Sequence, residues 1–171
     1  FTAKSGDTLF ISVNGYEKEL PLTKDVTFTA GKIKTVNFAY DYVKTSKEVV
    51  FDFNANPWGL PTSSSGNEDA GNIVAPVEVD DVSITVTNGT GTKTRLWDDT
   101  NKTDLRAYNG SSLTFIVPEG YVVKKITITG TAADADISPN IGSYSSKEWT
   151  GNANPLVLDI KGTLNLNTIT V

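Results

Sequence analysis

Three close pairs of aspartates are the residues of this sequence best placed to do chemistry. They are Asp80-Asp81, Asp98-Asp99 and Asp134 with Asp136. Two carboxyl groups that face each other across a cleft are the acid and the base of most glycoside hydrolases. Acidic residues at strand ends are also frequent turn formers, which need neither a partner nor a cleft. The sequence favours turns, and we therefore predict no catalytic residue among these aspartates.

A calcium site is the second chemistry that these carboxylates suggest. Asp134, Asp136 and Asn140 carry oxygen ligands within a short stretch. Calcium binds oxygen ligands and tolerates irregular loops. The spacing does not match the loop of an EF-hand. We therefore predict no cofactor, with a structural calcium ion as the alternative.

The absence of histidine and cysteine from the chain removes most routes to catalysis. Without histidine the commonest general base is missing, and no serine lies in a Gly-x-Ser-x-Gly motif. Without cysteine neither thiolates nor disulfides form. Gly89-Thr90-Gly91 precedes no predicted helix, which argues against a dinucleotide site. We predict that the protein is not an enzyme.

Aromatic residues with polar neighbours are the remaining candidates, because sugars stack on flat rings. The candidate ligand-binding residues are Trp58, in a long loop, Trp97 with its neighbour Asp98, and Tyr108. The alternative is that each ring closes the end of a hydrophobic core while its polar edge reaches a backbone group. The sequence favours this second role, for Trp149 as well.

Charge and hydropathy limit the partners. The net charge is −5 and the isoelectric point is about 4.7, so no excess of Lys and Arg is available for a nucleic acid backbone. No segment approaches the roughly 18 apolar residues of a membrane-spanning helix. The chain begins at Phe1 and has no methionine, which is typical of a processed or trimmed product. We expect any signal peptide or lipid anchor to lie upstream.

The elements that must position these residues are strands. Apolar and polar residues alternate with the period of a half-buried sheet. The clearest apolar sets are Val82, Ile84 and Val86; Leu113, Phe115 and Val117; Ile126 and Ile128; and Leu156, Leu158 and Ile160. The predicted fold class is all-β: an antiparallel β-sandwich, jelly-roll-like or Ig-like, preceded by a smaller β-strand unit.

Two regions are predicted. Residues 1–44 contain strands near Thr8–Val13, Tyr16–Leu22, Val26–Thr29 and Ile33–Phe38, with a hairpin turn at Asn14-Gly15. The linker is Tyr42–Lys47, and residues 48–171 form the sandwich. Asn54–Asn72 is predicted as a long surface loop. The apolar face of the last strand changes after Leu166, which indicates a bulge near Asn167.

Several motifs in order resemble a C-terminal β-sandwich module of secreted and surface proteins of Bacteroides and Prevotella. They start at Thr103 (TDLRAYNGSSLTF), Val123 (VKKITITG), Glu148 (EWTGNA) and Leu164 (LNLNTITV), and the match covers about residues 80–171. Residues 6–38, above all the segment TAGKIKTVNF, resemble the closing strands of the fimbrillin-like lipoprotein domain of the same bacteria.

This resemblance implies an exported protein, either an outer-membrane lipoprotein on the cell surface or a secreted protein. It implies a non-catalytic role in adhesion or fimbria-like surface assembly, with other surface proteins or glycans as partners. The alternative is a carbohydrate-binding module that contacts glycans through its loop aromatics. The family offers no catalytic residues to transfer to this chain.

Overall fold

The computed structural model describes residues 2–13, 16–31, 46–65, 70–99 and 102–171. The chain divides into two compact units, residues 1–45 and 46–171, and the division falls within the predicted linker. The helical structure within the described residues is one 3-10 turn, Asp134–Asp136. No helix in these parts of the chain is long and apolar enough to cross a membrane.

Where the structure describes it, the first unit has four short strands in two antiparallel pairs. They are β1 (Thr2–Ala3), β2 (Thr8–Val13), β3 (Tyr16–Pro21) and β4 (Val26–Thr27). β2 pairs with β3 and puts Val13 opposite Tyr16, as a two-residue hairpin requires. β1 pairs with β4. The turn residues Asn14-Gly15 and the predicted strand Ile33–Phe38 lie outside the described residues.

The described residues of the second unit form twelve strands. They are β5 (Val50–Asp52), β6 (Val77–Val79), β7 (Val82–Thr87), β8 (Arg95–Asp99), β9 (Lys102–Ala107), β10 (Ser112–Ile116), β11 (Val123–Thr131), β12 (Ile137–Pro139), β13 (Ser143–Ser145), β14 (Glu148–Ala153), β15 (Leu156–Ile160) and β16 (Leu164–Thr170).

These strands form two antiparallel sheets, which confirms the predicted all-β sandwich. One sheet has the order β12-β15-β10-β7-β6, and the other has the order β13-β14-β11-β16-β9-β8. β5 joins the second sheet beside the last residues of β16, on the same side as β9. The pairs β6–β7, β8–β9 and β13–β14 join strands of one sheet, and the other connections cross between the sheets.

The core lies between the two sheets and follows the alternation of the sequence. Ile84, Phe115 and Leu158 point inward from one sheet, and Leu105 and Ile126 do so from the other. All five are essentially inaccessible to solvent. Burying an aliphatic or aromatic side chain of this size stabilises the fold by about 1.5–3 kcal/mol. The core therefore accounts for the predicted strand periodicity.

A bulge at Asn167 keeps the whole of β16 facing the core, which confirms the prediction. Thr129 pairs with Thr168 but Gly130 pairs with Leu166, so Asn167 is the extra residue. Ile169 is buried as a result, despite the change of parity. Gly130 has a φ of +116°, and a side chain there would collide with the backbone of β16. The bulge therefore requires glycine at position 130.

The two ends of the second unit lie side by side. Val49 and Val171 exchange both backbone hydrogen bonds, at 2.9 and 2.8 Å, and so extend the pairing of β5 with β16.

Asp80 and Asp81 connect β6 to β7 in a two-residue turn, with φ values of 47° and 66°. The turn interpretation of this aspartate pair is therefore confirmed.

Candidate functional site

Trp58 closes a gap at the edge of the sandwich. Its ring lies against Phe51 and Phe53, with centroid distances of 6.2 and 5.5 Å. Its indole Nε1 donates a hydrogen bond of 3.0 Å to the carbonyl of Glu78 in β6. The ring thus connects the phenylalanines of the β5 segment to the other sheet. The ring is half-buried, and its N–H is already bonded within the protein.

The loop that carries Trp58 is held by Asn56. The side-chain amide of Asn56 donates to the Leu60 carbonyl at 2.8 Å, and its oxygen accepts from the Leu60 N–H at 3.0 Å. Asn56 has a φ of 42°, a conformation that asparagine tolerates better than most residues. The loop around Trp58 is therefore a fixed turn.

Trp149 is completely buried in a region that we name the Trp149 corner, formed by Ile141, Gly142, Tyr144, Trp149 and Gly151. The indole Nε1 donates to the Ile141 carbonyl at 2.7 Å. A Cβ on Gly142 would lie 2.7 Å from this nitrogen, and one on Gly151 would lie 2.6 Å from the far edge of the ring. The two glycines leave room for the indole, which gives the Trp-Thr-Gly motif a physical reason.

Trp97 belongs to a different environment, on the outer face of β8 and β9. In the strand register Trp97 lies opposite Asp104, and Arg95 lies opposite Arg106. Leu96 and Leu105, between them in sequence, point into the core. Because side chains alternate along a strand, the four polar and aromatic residues share the outward face.

Arg106 is held between Trp97 and Asp104. Its guanidinium carbon lies 4.3 Å from the centroid of the Trp97 ring. Its Nε donates to the Asp104 Oδ1 at 3.0 Å. The Asp104 side chain is only 3% exposed and the Arg106 side chain 22% exposed. The ion pair and the cation–π contact together fix the guanidinium while leaving part of it in contact with solvent.

Arg95 and Tyr108 extend this environment, which we name the Trp97 shelf: Arg95, Trp97, Asp104, Arg106 and Tyr108. Arg95 is 4% exposed, and its Nε donates to the Lys93 carbonyl at 3.2 Å. Its guanidinium carbon lies 6.0 Å from the centre of the Tyr108 ring. Two of the candidate residues, Trp97 and Tyr108, are thus brought together through arginines.

The long loop between β5 and β6 covers the free edge of β8. Ser63 donates its N–H to the Leu96 carbonyl and accepts from the Asp98 N–H, both at 2.9 Å. Gly71 and Ile73 continue the contact with Leu96 and Thr94. Asp98 therefore lies in a strand, on the opposite side of β8 from Trp97. Asp98 and Asp99 are the last two residues of β8, so this pair lies at a strand end, as expected, but within the strand and not in a turn.

One shallow apolar cavity lies beside this loop. Its volume is about 120 Å³, and it is lined by Leu60, Pro61, Asn72, Ile73, Val74 and Ala75. Pockets that enclose small organic ligands usually have volumes of about 300–1,000 Å³. The cavity is therefore too small to enclose a sugar unit together with its hydroxyl partners.

The described residues contain no group of three or more acidic side chains that could hold a metal ion. The predicted ligand Asn140 uses its side-chain oxygen to accept the Val157 N–H at 3.0 Å, and its own N–H donates to the Val157 carbonyl. Asn140 thus continues the pairing of β12 with β15. Asp134 and Asp136 form the 3-10 turn, and a calcium ion there stays a prediction.

Tyr144 lies opposite Trp149 in the register. Among the described residues of the sandwich, it alone has a clearly shifted pKa. Burial, with a smaller contribution from the charge of Asp134, raises the pKa of this phenol to about 12. Its hydroxyl is buried and has no hydrogen-bond partner. The tyrosine therefore contributes packing, and its hydroxyl is not positioned for proton transfer at neutral pH.

Sequence reasoning identified Trp97 and Tyr108 but missed Arg95, Asp104 and Arg106. A signal for two of them was present, because Asp104 and Arg106 alternate with Leu105 and Ala107 along β9. Their convergence on one tryptophan depends on the pairing of β8 with β9. Comparison with known proteins adds no further candidate: the chain matches no family model, no curated protein and no solved structure.

Proposed function

We propose that the protein is a non-catalytic surface module that acts in adhesion or in fimbria-like assembly. In this proposal it is displayed on the cell surface, as part of an outer-membrane lipoprotein, or is secreted. Its partners are other surface proteins or glycans, bound through strands and exposed faces of the sheets. The resemblance of its motifs to fimbrillin-like proteins motivates the cellular setting.

The observation that carries the proposal is that each tryptophan ring makes its contacts within the protein. Trp149 is enclosed in the core, Trp58 is bonded across the two sheets, and one face of Trp97 is covered by Arg106. The described aspartate pairs also lie in a turn, a strand and a 3-10 turn. These features support a stable scaffold that binds by surface contact.

The second candidate, a carbohydrate-binding module with loop aromatics, is favoured by one observation only. The Trp97 shelf combines a half-buried indole with a partly exposed arginine, as glycan sites often do. Trp58, the aromatic residue of the long loop, supports it less because its N–H is already bonded to Glu78. In this candidate the strand residue Trp97 replaces Trp58 as the contact.

Adhesion of beads that carry the purified chain tests the proposal. The beads are applied under flow to epithelial cells, to extracellular-matrix proteins and to a layer of the same chain, with albumin-coated beads as the control. Adhesion to at least one surface, without release of sugars or peptides detectable by mass spectrometry, supports the proposal. Cleaved products would contradict the non-catalytic role, and beads that adhere to none of the surfaces would contradict the adhesive one.

A glycan array separates the two candidates. The wild-type chain is screened beside Trp58→Ala and Trp97→Ala. Binding to neutral glycans that either variant abolishes would favour the carbohydrate-binding module.

Chemical unfolding in calcium and in EDTA tests the remaining cofactor prediction. An ion held by Asp134 and Asp136 would raise the denaturant concentration at the midpoint of unfolding.

A further inference from the structure

A row of polar side chains crosses three neighbouring strands beside the Trp97 shelf. Arg106 in β9 pairs with Asn165 in β16, and Asn165 pairs on its other side with Thr131 in β11. Leu164 and Leu166 are fully buried, so Asn165 points to the outer face of the sheet. We name Arg106, Asn165 and Thr131 the Arg106 row.

The spacing of this row follows from sheet geometry. Neighbouring strands lie about 4.8 Å apart, so the backbones of Arg106, Asn165 and Thr131 follow one another at about that interval, while the Arg106 guanidinium lies on the Trp97 side of β9. A ligand that lies across the strands can therefore meet the Arg106 guanidinium at one end of the row and the side chains of Asn165 and Thr131 farther along.

Arg106 is prepared to bind a carboxylate. Its Nε is bonded to Asp104, and a guanidinium has four further N–H donors on its terminal nitrogens. Stacking on Trp97 holds the plane of the group, so little conformational freedom remains to be lost on binding. Arginine in a fixed orientation pairs with carboxylates through two parallel hydrogen bonds.

The composition of the row favours a glycan over a protein partner. Protein interfaces have an apolar core surrounded by polar residues. The Arg106 row offers hydrogen-bonding groups instead: Asn165 is half-buried and Thr131 is exposed. Amides and hydroxyls both donate and accept, as sugar hydroxyls do.

We propose that the Arg106 row binds an acidic glycan. The carboxylate of a uronic or sialic acid pairs with Arg106, and hydroxyls of adjoining sugars bond to Asn165 and Thr131. This inference deepens the proposed function and rests on it, because it gives the chemistry of one partner of the surface module. Binding of this kind weakens as the salt concentration rises, since the Arg106 site is partly exposed.

The test measures binding of two matched probes by calorimetry. One is a tetramer of galacturonic acid, and the other is the corresponding neutral tetramer of galactose; sialyl-lactose and lactose form a second pair. We expect the folded wild-type chain to bind at least one acidic probe and to bind its neutral counterpart at least tenfold more weakly. Failure to bind either acidic probe would overturn the inference.

Variants locate the binding. Arg106→Lys keeps a positive charge near the buried Asp104 but loses the paired hydrogen bonds, and we expect at least tenfold weaker binding. Asn165→Ala leaves the ion pair intact and is expected to weaken binding about fivefold, the effect of one hydrogen bond. Both variants are checked by thermal unfolding, so that a folding defect is not counted as a binding defect.

Lys161→Gln is the matched control for charge. Lys161 is 53% exposed, is paired with Asp159 at 3.7 Å and lies outside the Arg106 row. Unchanged binding in this variant is expected, whereas a loss equal to that of Arg106→Lys would mean nonspecific attraction and would overturn the inference. Bead adhesion that persists when acidic probes do not bind would leave the proposed function standing and remove only this partner.

Discussion

The Trp149 corner and the Trp97 shelf use the same residue type in opposite ways. In the corner, the indole has no exposed surface, and its N–H is bonded to the Ile141 carbonyl. On the shelf, the indole lies on the outer face of the sheet under the guanidinium of Arg106. The role of a tryptophan here is decided by the atoms that contact its two faces, and the exposure of each ring follows from those contacts.

Replacement of the two tryptophans by alanine is the strongest test of this difference. We expect Trp149→Ala to lower the free energy of unfolding by about 3–5 kcal/mol, because it leaves a large cavity in the core. Trp97→Ala should cost about 1–2 kcal/mol, since solvent can fill the space on an outer face. Denaturant unfolding measures both, and equal losses would contradict the distinction between corner and shelf.

Glycine substitutions separate packing from backbone strain within the Trp149 corner. Gly142 and Gly120 have similar φ values of +80° and +84°. A Cβ on Gly142 would collide with the Thr150 carbonyl oxygen and the Trp149 ring, whereas a Cβ on Gly120 would meet nothing within 4 Å. Gly120→Ala should cost about 1–2 kcal/mol from its left-handed conformation. Gly142→Ala should cost about 1–3 kcal/mol more from overpacking. If thermal or chemical unfolding gives the same loss for both, neither the Trp149 ring nor the Thr150 carbonyl constrains this position.

A double-mutant cycle measures the contact that defines the Trp97 shelf. The single variants are Trp97→Leu and Arg106→Gln, and the double variant carries both. We expect a coupling energy of about 0.5–1 kcal/mol from the cation–π contact, determined by chemical unfolding at neutral pH. A coupling energy of zero would show that Arg106 lies over the ring without stabilising it.

Tyr144→Phe should have the smallest effect at neutral pH, because the lost hydroxyl is buried without a partner. The pH dependence is more informative. The pKa of Tyr144 is raised to about 12 in the folded protein, whereas the unfolded phenol ionises near 10. The contribution of Tyr144 to the free energy of unfolding should therefore be fully present below about pH 10 and be lost as the pH rises toward 12. Chemical unfolding at a series of pH values measures this loss. If the free energy of unfolding of Tyr144→Phe falls with pH as much as that of the wild type, Tyr144 is not the group responsible.

The repetitive parts of this fold could be predicted from the sequence. The alternation of apolar and polar residues predicts the bounds of β2 and the inward-facing residues of β7, β10, β11 and β15. A strand with one buried face has an apolar residue at every second position. The bulge at Asn167 is also visible, since it shifts the apolar face of β16. These features depend on neighbours in the sequence and are therefore local signals.

The site could be predicted only in part. Trp97 and Tyr108 are recognisable as aromatic residues with polar neighbours, but Arg106 and Asn165 are 59 positions apart and meet through the register of β9 with β16. Register between distant strands is set by the packing of the whole core. The same limit explains Asp98, where the pairing of β8 with β9 outweighs the tendency of aspartate to form turns.

The exchange of hydrogen bonds between Val49 and Val171 has a mechanical consequence. Tension applied at the two ends of the second unit would pull β5 and β16 apart from one end, so that their hydrogen bonds break one after another. Strands loaded in this way open at lower force than strands that are sheared along their length. The pairing of β5 with β16 would therefore yield first, while the other side of β16 stays bonded to β11 along its length.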